Sequence, residues 1–324
     1  MAATQSGTSL DSEHITQKLQ LKDGRTLAYA CYGETASPKS LPVFYFNGTP
    51  GSHPECGLLH EPALKLGLLL IGIDRPGFGD SSWQDNRTLL QWPSDVLELA
   101  DHLDVPKFGI IGLSGGGPHA LACLSEIPKE RLVAVTVISG MCPMSLGNEG
   151  MMWQTRAFFG LARWSTWLLT MLLDLTLART LRTGDRKKLI ALVKKQNDTL
   201  PVPEADKKVM AEICEDGKLI NAYLGSSQGA LKTSSKAAAW EMWLLGSDWG
   251  FKLADLDGSR LTMWHGGQDV NVPATMPDKA HKLIPDATYK RHDDEGHVSL
   301  VVRHGEAILT ELMKRLDSSQ EIHT

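Results

Sequence analysis

Ser114 lies in residues 108–123, FGIIGLSGGGPHALAC, where an apolar run meets Gly112-Leu113-Ser114-Gly115-Gly116 and gives way to small helix formers. A strand turning sharply into a helix with serine at the apex is a device for presenting a nucleophile. Glycines two residues before and two after Ser114 allow the tight turn and let the helix lie close to the strand. The serine is then expected in a strained backbone conformation, its Oγ exposed above the positive end of the helix. A serine hydroxyl stays protonated near neutral pH, so this chemistry needs a base in reach, an acid to orient the base, and N–H donors for an oxyanion.

The elements that must position these groups can be read from apolar periodicity. Residues 15–32 alternate apolar and polar around Lys22-Asp23-Gly24, which predicts a β-hairpin. Continuous apolar runs at 41–46, 68–73, 107–113 and 133–138 predict strands buried on both faces of a parallel sheet. Helical segments are expected between them, near 55–67, 92–103 and 117–127. From 141 to 258 no strand-like run occurs, and Leu200-Pro201-Val202-Pro203 divides this helical region. The sheet pattern resumes at 260–264 and 288–291, and an amphipathic helix is expected over 299–316. In an open parallel sheet, ligands bind at the C-terminal ends of strands. Residues 47–51, residues 74–79, Ser114, Asp269 and His297 all fall there.

Taken in order, the strand-end segments NGTPGS, DRPGFGDS, GLSGGG, HGGQDVNVP and EGH resemble the α/β-hydrolase superfamily, in the serine-nucleophile branch with an inserted helical cap. The resemblance runs from residue 15 to 316. It implies a mostly parallel eight-stranded sheet flanked by helices, with the cap inserted after the sixth strand. The implied division is a core of residues 1–140 and 259–324 with a cap of 141–258. The resemblance makes Ser114 the nucleophile, His297 the base and Asp269 the acid, in the family's chain order. His265, His292 and His304 are rivals to His297; of these, His265 is expected to shape its own loop. A carboxylate after the preceding strand could replace Asp269 in some members, but Ser139-Gly140-Met141-Cys142 offers none.

The implied oxyanion donors are the N–H of Gly115 and one from the loop after the third strand, Thr49 first and Gly48 next. That loop normally begins His-Gly, whereas this chain has Asn47-Gly48. Asp74-Arg75-Pro76-Gly77 is read as a structural turn bracing it. Asp293, Asp294 and Glu295 are read as a solvated turn beside His297. The His and Asp residues near the C-terminus have no metal-ligand spacing, so neither a metal nor a cofactor is expected.

Bulk properties restrict the class further. The chain has 324 residues, 42% hydrophobic, and a net charge of −5, which argues against nucleic acid or an anionic membrane as a partner. Residues 1–17 lack a basic segment followed by an apolar one, and the C-terminal DSSQEIHT matches no lipidation signal. Five widely spaced cysteines fit reduced thiols. A cytoplasmic location is the expectation from these features. The apolar stretch 164–178 is short of the ~20 residues that span a bilayer. It is read as a buried or pocket-lining helix in preference to a membrane-surface one.

Six of the nine tryptophans fall in the helical region, which predicts a largely apolar pocket. Trp153, Phe158, Trp164, Trp167 and Met171 are the candidates for its lining. The expected function is hydrolysis of an ester, lactone or related acyl bond of a small apolar or aromatic molecule through an acyl-enzyme. Carbon–carbon bond hydrolysis, acyl transfer, aminopeptidase activity and low-turnover ligand binding are alternatives on the same fold. Assembly into a homodimer is admitted.

Overall fold

The computed structural model describes residues 14–183 and 185–321. The terminal readings for residues 1–13 and 322–324 lie outside the described residues. Eight strands form one sheet in the order β1-β2-β4-β3-β5-β6-β7-β8. β1 (Gln17–Gln20) and β2 (Thr26–Gly33) form the expected hairpin, turning at Gly24, where φ is +86°. β2 also runs antiparallel to β4 (Leu69–Ile73). The remaining strands are β3 (Val43–Phe46), β5 (Phe108–Leu113), β6 (Leu132–Ile138), β7 (Leu261–Gly266) and β8 (Thr288–His292). From β4 through β8 every pairing is parallel.

The parallel strands read as continuous apolar runs because both sheet faces are covered. Phe44, Phe46, Phe108 and Ile110 point into one core, beneath α2 (Trp92–His102) and α3 (Gly116–Glu126). Val43, Tyr45, Ile111 and Leu113 point into the other, beneath α1 (His60–Leu66) and α12 (His297–Glu321). The register levels the C-terminal strand ends: Phe46 lies beside Ile73 and Gly112, and Ile138 beside Trp264. The loops that follow therefore emerge along one edge of the sheet.

Between β6 and β7 the chain is helical, as expected. It forms α4 (Trp153–Trp164), α5 (Thr166–Leu173), a π-helical turn (Asp174–Ala178) and α6 (Arg179–Arg182). α7 (Arg186–Thr199), α8 (Glu204–Glu215), α9 (Gly217–Ala230) and α10 (Lys236–Leu245) follow. Side-chain caps explain where several begin. Ser165 accepts from the Leu168 amide at the start of α5, Asp185 from Lys187 and Lys188 at α7, and Asp216 from Lys218 and Leu219 at α9. These helices share a core of their own that includes Leu169, Leu173, Val209, Ile213 and Leu224. α11 (Thr275–Leu283) connects β7 to β8.

One expectation changes. The stretch 164–178, expected as a buried or pocket-lining helix, lines a cavity along one side but is neither one helix nor buried all round. α4 ends at Trp164, and only one side of α5 is covered: Leu169 and Leu173 are buried, whereas Trp167, Leu168, Met171 and Leu172 are exposed. No helix of the described residues is long and apolar enough to cross a membrane.

Candidate active site

Ser114 sits between β5 and α3 with φ at +51°, in the left-handed region that costs a non-glycine residue about 1–3 kcal/mol. The surroundings hold it there. Its amide donates to the Ile138 carbonyl at 2.9 Å, and its own carbonyl accepts from the Met141 and Gly117 amides at 2.9 and 3.0 Å. The flanking glycines are required by close approach. A Cβ on Gly112 would lie 2.6 Å from the Gly116 carbonyl oxygen, and one on Gly116 would lie 2.2 Å from that of Phe46.

Asp269 follows β7, and His297 begins α12. The imidazole Nδ1 lies 2.7 Å from Asp269 Oδ2, and the other carboxylate oxygen accepts from the Asn271 and Val272 amides at 2.8 and 2.9 Å. The aspartate is thus fixed with one oxygen aimed at the ring. Burial would push the Asp269 carboxyl up, but the adjacent His297 holds it below the usual range. Burial likewise opposes charge on His297, yet Asp269 outweighs it and the imidazole pKa rises, with further contributions from Asp206 and Glu55.

The rival histidines are placed elsewhere. His265 Nε2 is 2.8 Å from the Val272 carbonyl oxygen, which makes it a brace for the Asp269 loop. His292 stacks on Trp264 at 5.3 Å, and His304 lies beside Glu295. Asp293 and Asp294 are exposed, as a solvated turn requires, whereas Glu295 is buried.

Asp206, on α8, has a role that was not legible in the sequence. Its carboxylate accepts from the backbone amides of His297, Val298 and Ser299 at 2.9, 3.0 and 2.8 Å, capping α12 from a different helix. Those amides would otherwise be orphaned at a buried helix start. A Cβ on Gly296 would lie 2.4 Å from Asp206 Oδ2, so the cap also requires glycine there. Nothing in the sequence near Asp206 signals a contact with a residue 91 positions away.

The loop after β3 is held by Arg75, in the bracing role expected of its turn. The guanidinium donates to the Asn47 and Gly48 carbonyls at 2.5 and 3.0 Å and to Thr49 Oγ1 at 3.2 Å. It also meets Glu241 of α10 through Nε at 2.8 Å and Nη2 at 2.9 Å. Both side chains of this pair are 0% exposed. Thr49 Oγ1 donates to Glu241 at 2.7 Å. Burial raises the Glu241 carboxyl, but Arg75, with Arg87 behind it, reverses this and holds it at about 2.

Of the three backbone donors expected for an oxyanion, Gly48 is committed elsewhere: its amide donates to Glu55 Oε1 at 2.7 Å. Gly115 and Thr49 remain next to each other. A Cβ on Gly115 would lie 3.2 Å from the Thr49 nitrogen and 2.1 Å from its Oγ1, so the close approach of these two backbones requires glycine. Glu55 was not singled out from the sequence, although an acid four residues past Gly51 in a strand-end loop was a signal available there. It also accepts from the Tyr45 hydroxyl at 3.0 Å, and burial pushes its carboxyl up.

Ser114 and His297 open into a cavity of about 450 Å³, lined also by Glu55, Phe158, Leu173 and Met242. Phe158 is where the sequence suggested. Trp153, Trp164, Trp167 and Met171 do not line the cavity; they are 71%, 77%, 67% and 40% exposed. The reason is helical phase. Leu169, Leu173 and Leu177 form the inward stripe and line the cavity, which turns Trp167 and Met171 outward. A larger cavity of about 870 Å³, between residues 52–62 and α9, contains none of Ser114, Asp269 and His297.

With this geometry in place, comparison with known proteins gives the family. The sequence model of the alpha/beta hydrolase fold matches residues 42–303, and the chain belongs to that family. A proline iminopeptidase of Lactobacillus helveticus is 29% identical over 126 residues, 37% of this chain and 42% of that protein. The 3-oxoadipate enol-lactonase 1 of Acinetobacter baylyi is 29% identical over 116 residues, 36% of this chain and 42% of that protein. These alignments span about two-fifths of the relatives' own lengths. Among solved structures, an esterase from Exiguobacterium antarcticum superposes with a TM-score of 0.58 at 15% identity, covering 93% of this chain and 99% of that one. A meta-cleavage product hydrolase from Pseudomonas fluorescens IP01 gives 0.60 at 16%, covering 94% and 98%.

Two substitutions test how the site is held. Glu241→Gln leaves Arg75 and Arg87 buried without a counter-charge, and a loss of about 3–5 kcal/mol is expected in urea denaturation. A loss below about 1 kcal/mol would show that the pair does not hold the loop. Asp206→Ala removes the acceptor for three buried amides and is expected to cost about 1–2 kcal/mol. It should also lower the His297 pKa, read from the imidazole proton shifts; an unmoved titration would limit Asp206 to capping.

Proposed function

We propose that the protein is a serine hydrolase that cleaves an ester, lactone or related acyl bond of a small apolar molecule. The observation that carries this reading is the alignment of a strained Ser114, a carboxylate-oriented His297 and an apolar cavity on one sheet edge. Ser114 Oγ attacks the carbonyl carbon while His297 Nε2, the nitrogen facing away from Asp269, accepts its proton. Asp269 keeps the tautomer with Nδ1 protonated and stabilises the imidazolium. The Gly115 and Thr49 amides bind the oxyanion, each typically worth about 3 kcal/mol. Collapse of the tetrahedral adduct breaks the acyl–oxygen bond, and His297 returns its proton to the leaving alcohol. The imidazole then takes a proton from the water that attacks the acyl-enzyme, and returns it to Ser114 Oγ as the acyl–oxygen bond breaks and the acid leaves. The helices between β6 and β7 act as a cap that limits water in the cavity.

A second reading is favoured by Glu55. Glu55 Oε2 and the Ser114 Cβ approach a Cβ built on Gly48 to 3.4 and 3.5 Å, so the two side chains flank the same point of the loop. A carboxylate there suits a substrate carrying an ammonium group near its acyl carbon, as an aminopeptidase requires. Faster turnover of aminoacyl naphthylamides than of p-nitrophenyl esters, with selective loss of the former in Glu55→Gln, would favour this second reading.

For the primary reading, Ser114→Ala is expected to lower kcat toward p-nitrophenyl esters by about 10⁴-fold or more. Undiminished turnover would exclude the mechanism. The base must be neutral to act, and Asp269 raises its pKa, so the acid limb of kcat/KM should have its midpoint above the ordinary imidazole value of about 6.5. Asp269→Asn should shift that limb to lower pH and reduce kcat by about 10⁴-fold. The sign for stability is opposite to that for activity. A raised folded pKa contributes stability below the unfolded value, and this is lost as pH rises through the folded value.

A further inference from the structure

Seven of the ten large apolar side chains exposed among the described residues fall between Trp153 and Leu175. On α5 and the turn after it, Trp167, Leu168, Met171, Leu172 and Leu175 form one stripe at helical spacing, and Trp164, the last residue of α4, precedes it across the break at Ser165. Two of these residues, Trp164 and Leu175, are 77% and 66% exposed. Clusters of exposed apolar side chains this dense mark an interaction surface rather than ordinary surface composition.

The charges around the stripe indicate its partner. Arg156, Arg163 and Arg179 are exposed, and none is paired with a carboxylate among the described residues. Arg156 lies one turn from Trp153, Arg163 adjoins Trp164, and Arg179 lies one turn past Leu175. A second copy docked on this face would add its own arginines to the contact, and neither α4 nor α5 contains an acidic residue to receive them. An anionic lipid surface would accept the arginines at its headgroups and the tryptophans at the boundary with the acyl chains. Trp164 and Trp167 at one end of the stripe, and Trp153 at the start of α4, have rings that suit that boundary because each combines an apolar body with a polar N–H. The net charge of −5 conceals this local basic rim.

We propose that the outer face of α4 and α5 docks the protein on an anionic phospholipid bilayer. The contact is peripheral, with the helices in the plane of the interface. Because Leu169, Leu173 and Leu177 on the opposite side of the same segment line the cavity beside Ser114, docking places that cavity one helix away from the lipid. The docking itself does not depend on the acyl chemistry proposed above.

The test is co-sedimentation of full-length Ser114→Ala protein with sucrose-loaded vesicles, which separates binding from turnover. Equimolar phosphatidylglycerol and phosphatidylcholine is compared with phosphatidylcholine alone. Binding to the anionic vesicles should be stronger, should weaken at high salt and should shift tryptophan emission to shorter wavelength. Arg163→Glu with Arg179→Glu should lower the partition coefficient by about thirtyfold or more. Trp164→Ser with Trp167→Ser should abolish most binding and the emission shift, with far-ultraviolet circular dichroism and Tm unchanged. Equal binding to both vesicle types, or binding indifferent to the tryptophan pair, would overturn the proposal. So would a dimer seen by light scattering that those substitutions convert to monomer, since the face would then be covered by a second copy.

Discussion

Arg75 and Glu241 form the contact on which the architecture of the site turns. Arg75 leaves the end of β4 and Glu241 comes from α10, so one fully buried pair joins the sheet to the helices covering it. Removing two charges from water is expensive, and their attraction alone only roughly compensates. The remaining hydrogen bonds decide the balance. Arg75 reaches two carbonyls and a hydroxyl of residues 47–49 in addition to the carboxylate. A hydrophobic pair of equal volume could stabilise the fold as well, but it could not specify where that loop's amides point. Arg87 approaches the same carboxylate at 3.4 Å, so the cluster carries an excess of positive charge behind the loop.

That excess has a counterpart on the other side of Ser114. His297 is surrounded by carboxylates: Asp269 on its Nδ1, Asp206 at its backbone amide and Glu55 across the cavity. The two histidines nearest the elbow are consequently driven in opposite directions. His119, one turn into α3, is buried and faces Arg75 and Arg87, so it is pushed down to about 3 and is neutral at physiological pH. His297 is buried too, yet its carboxylates raise it. Both imidazoles are disfavoured as cations by burial; at His119 the Arg75 guanidinium adds to this and the nearby Glu241 carboxylate does not reverse it, whereas at His297 the hydrogen-bonded Asp269 does. His119 is a fixed, uncharged support for the elbow, its Nδ1 3.1 Å from the Gly115 carbonyl oxygen.

What the sequence disclosed followed from local rules. Strands β3 to β7 were legible because burial on both faces leaves a continuous apolar run, and the elbow was legible because close backbone approach demands glycine. The pairing of Asp269 with His297 was legible through the resemblance to the α/β hydrolases, whose chain order these two strand-end residues follow. The supports for these groups were not, because they come from far along the chain. Glu241 lies 166 residues from Arg75, and both it and Asp206 sit on helices with unremarkable amphipathic patterns. The misplaced aromatic residues have a different cause. Along 164–178 the polar residues Thr166, Thr170 and Asp174 mark one stripe, but apolar residues fill the positions on either side of it, so which apolar side faces inward is not marked, and residue type alone assigned Trp164, Trp167 and Met171 to the pocket.

An amphipathic helix on a water-facing cap needs only one apolar stripe, and its other positions drift toward charged and polar residues. In α5 the only polar residues are Thr166 and Thr170, and Thr170 returns its hydroxyl to the Thr166 carbonyl at 2.8 Å. Leu169 and Leu173 account for the inward stripe. The outward stripe of Trp167, Leu168, Met171 and Leu172 is only partly removed from water by folding, with Trp167 left 67% exposed. Folding therefore explains half of the helix's hydrophobicity. The other half is exposed surface with a hydration cost in the folded monomer, and such a cost is offset only when a second apolar phase meets it. The absence of contrast between the two apolar sides that hid the phase of this helix in the sequence is thus itself a physical property: α5 is apolar on both sides because it is built to lie between two apolar environments.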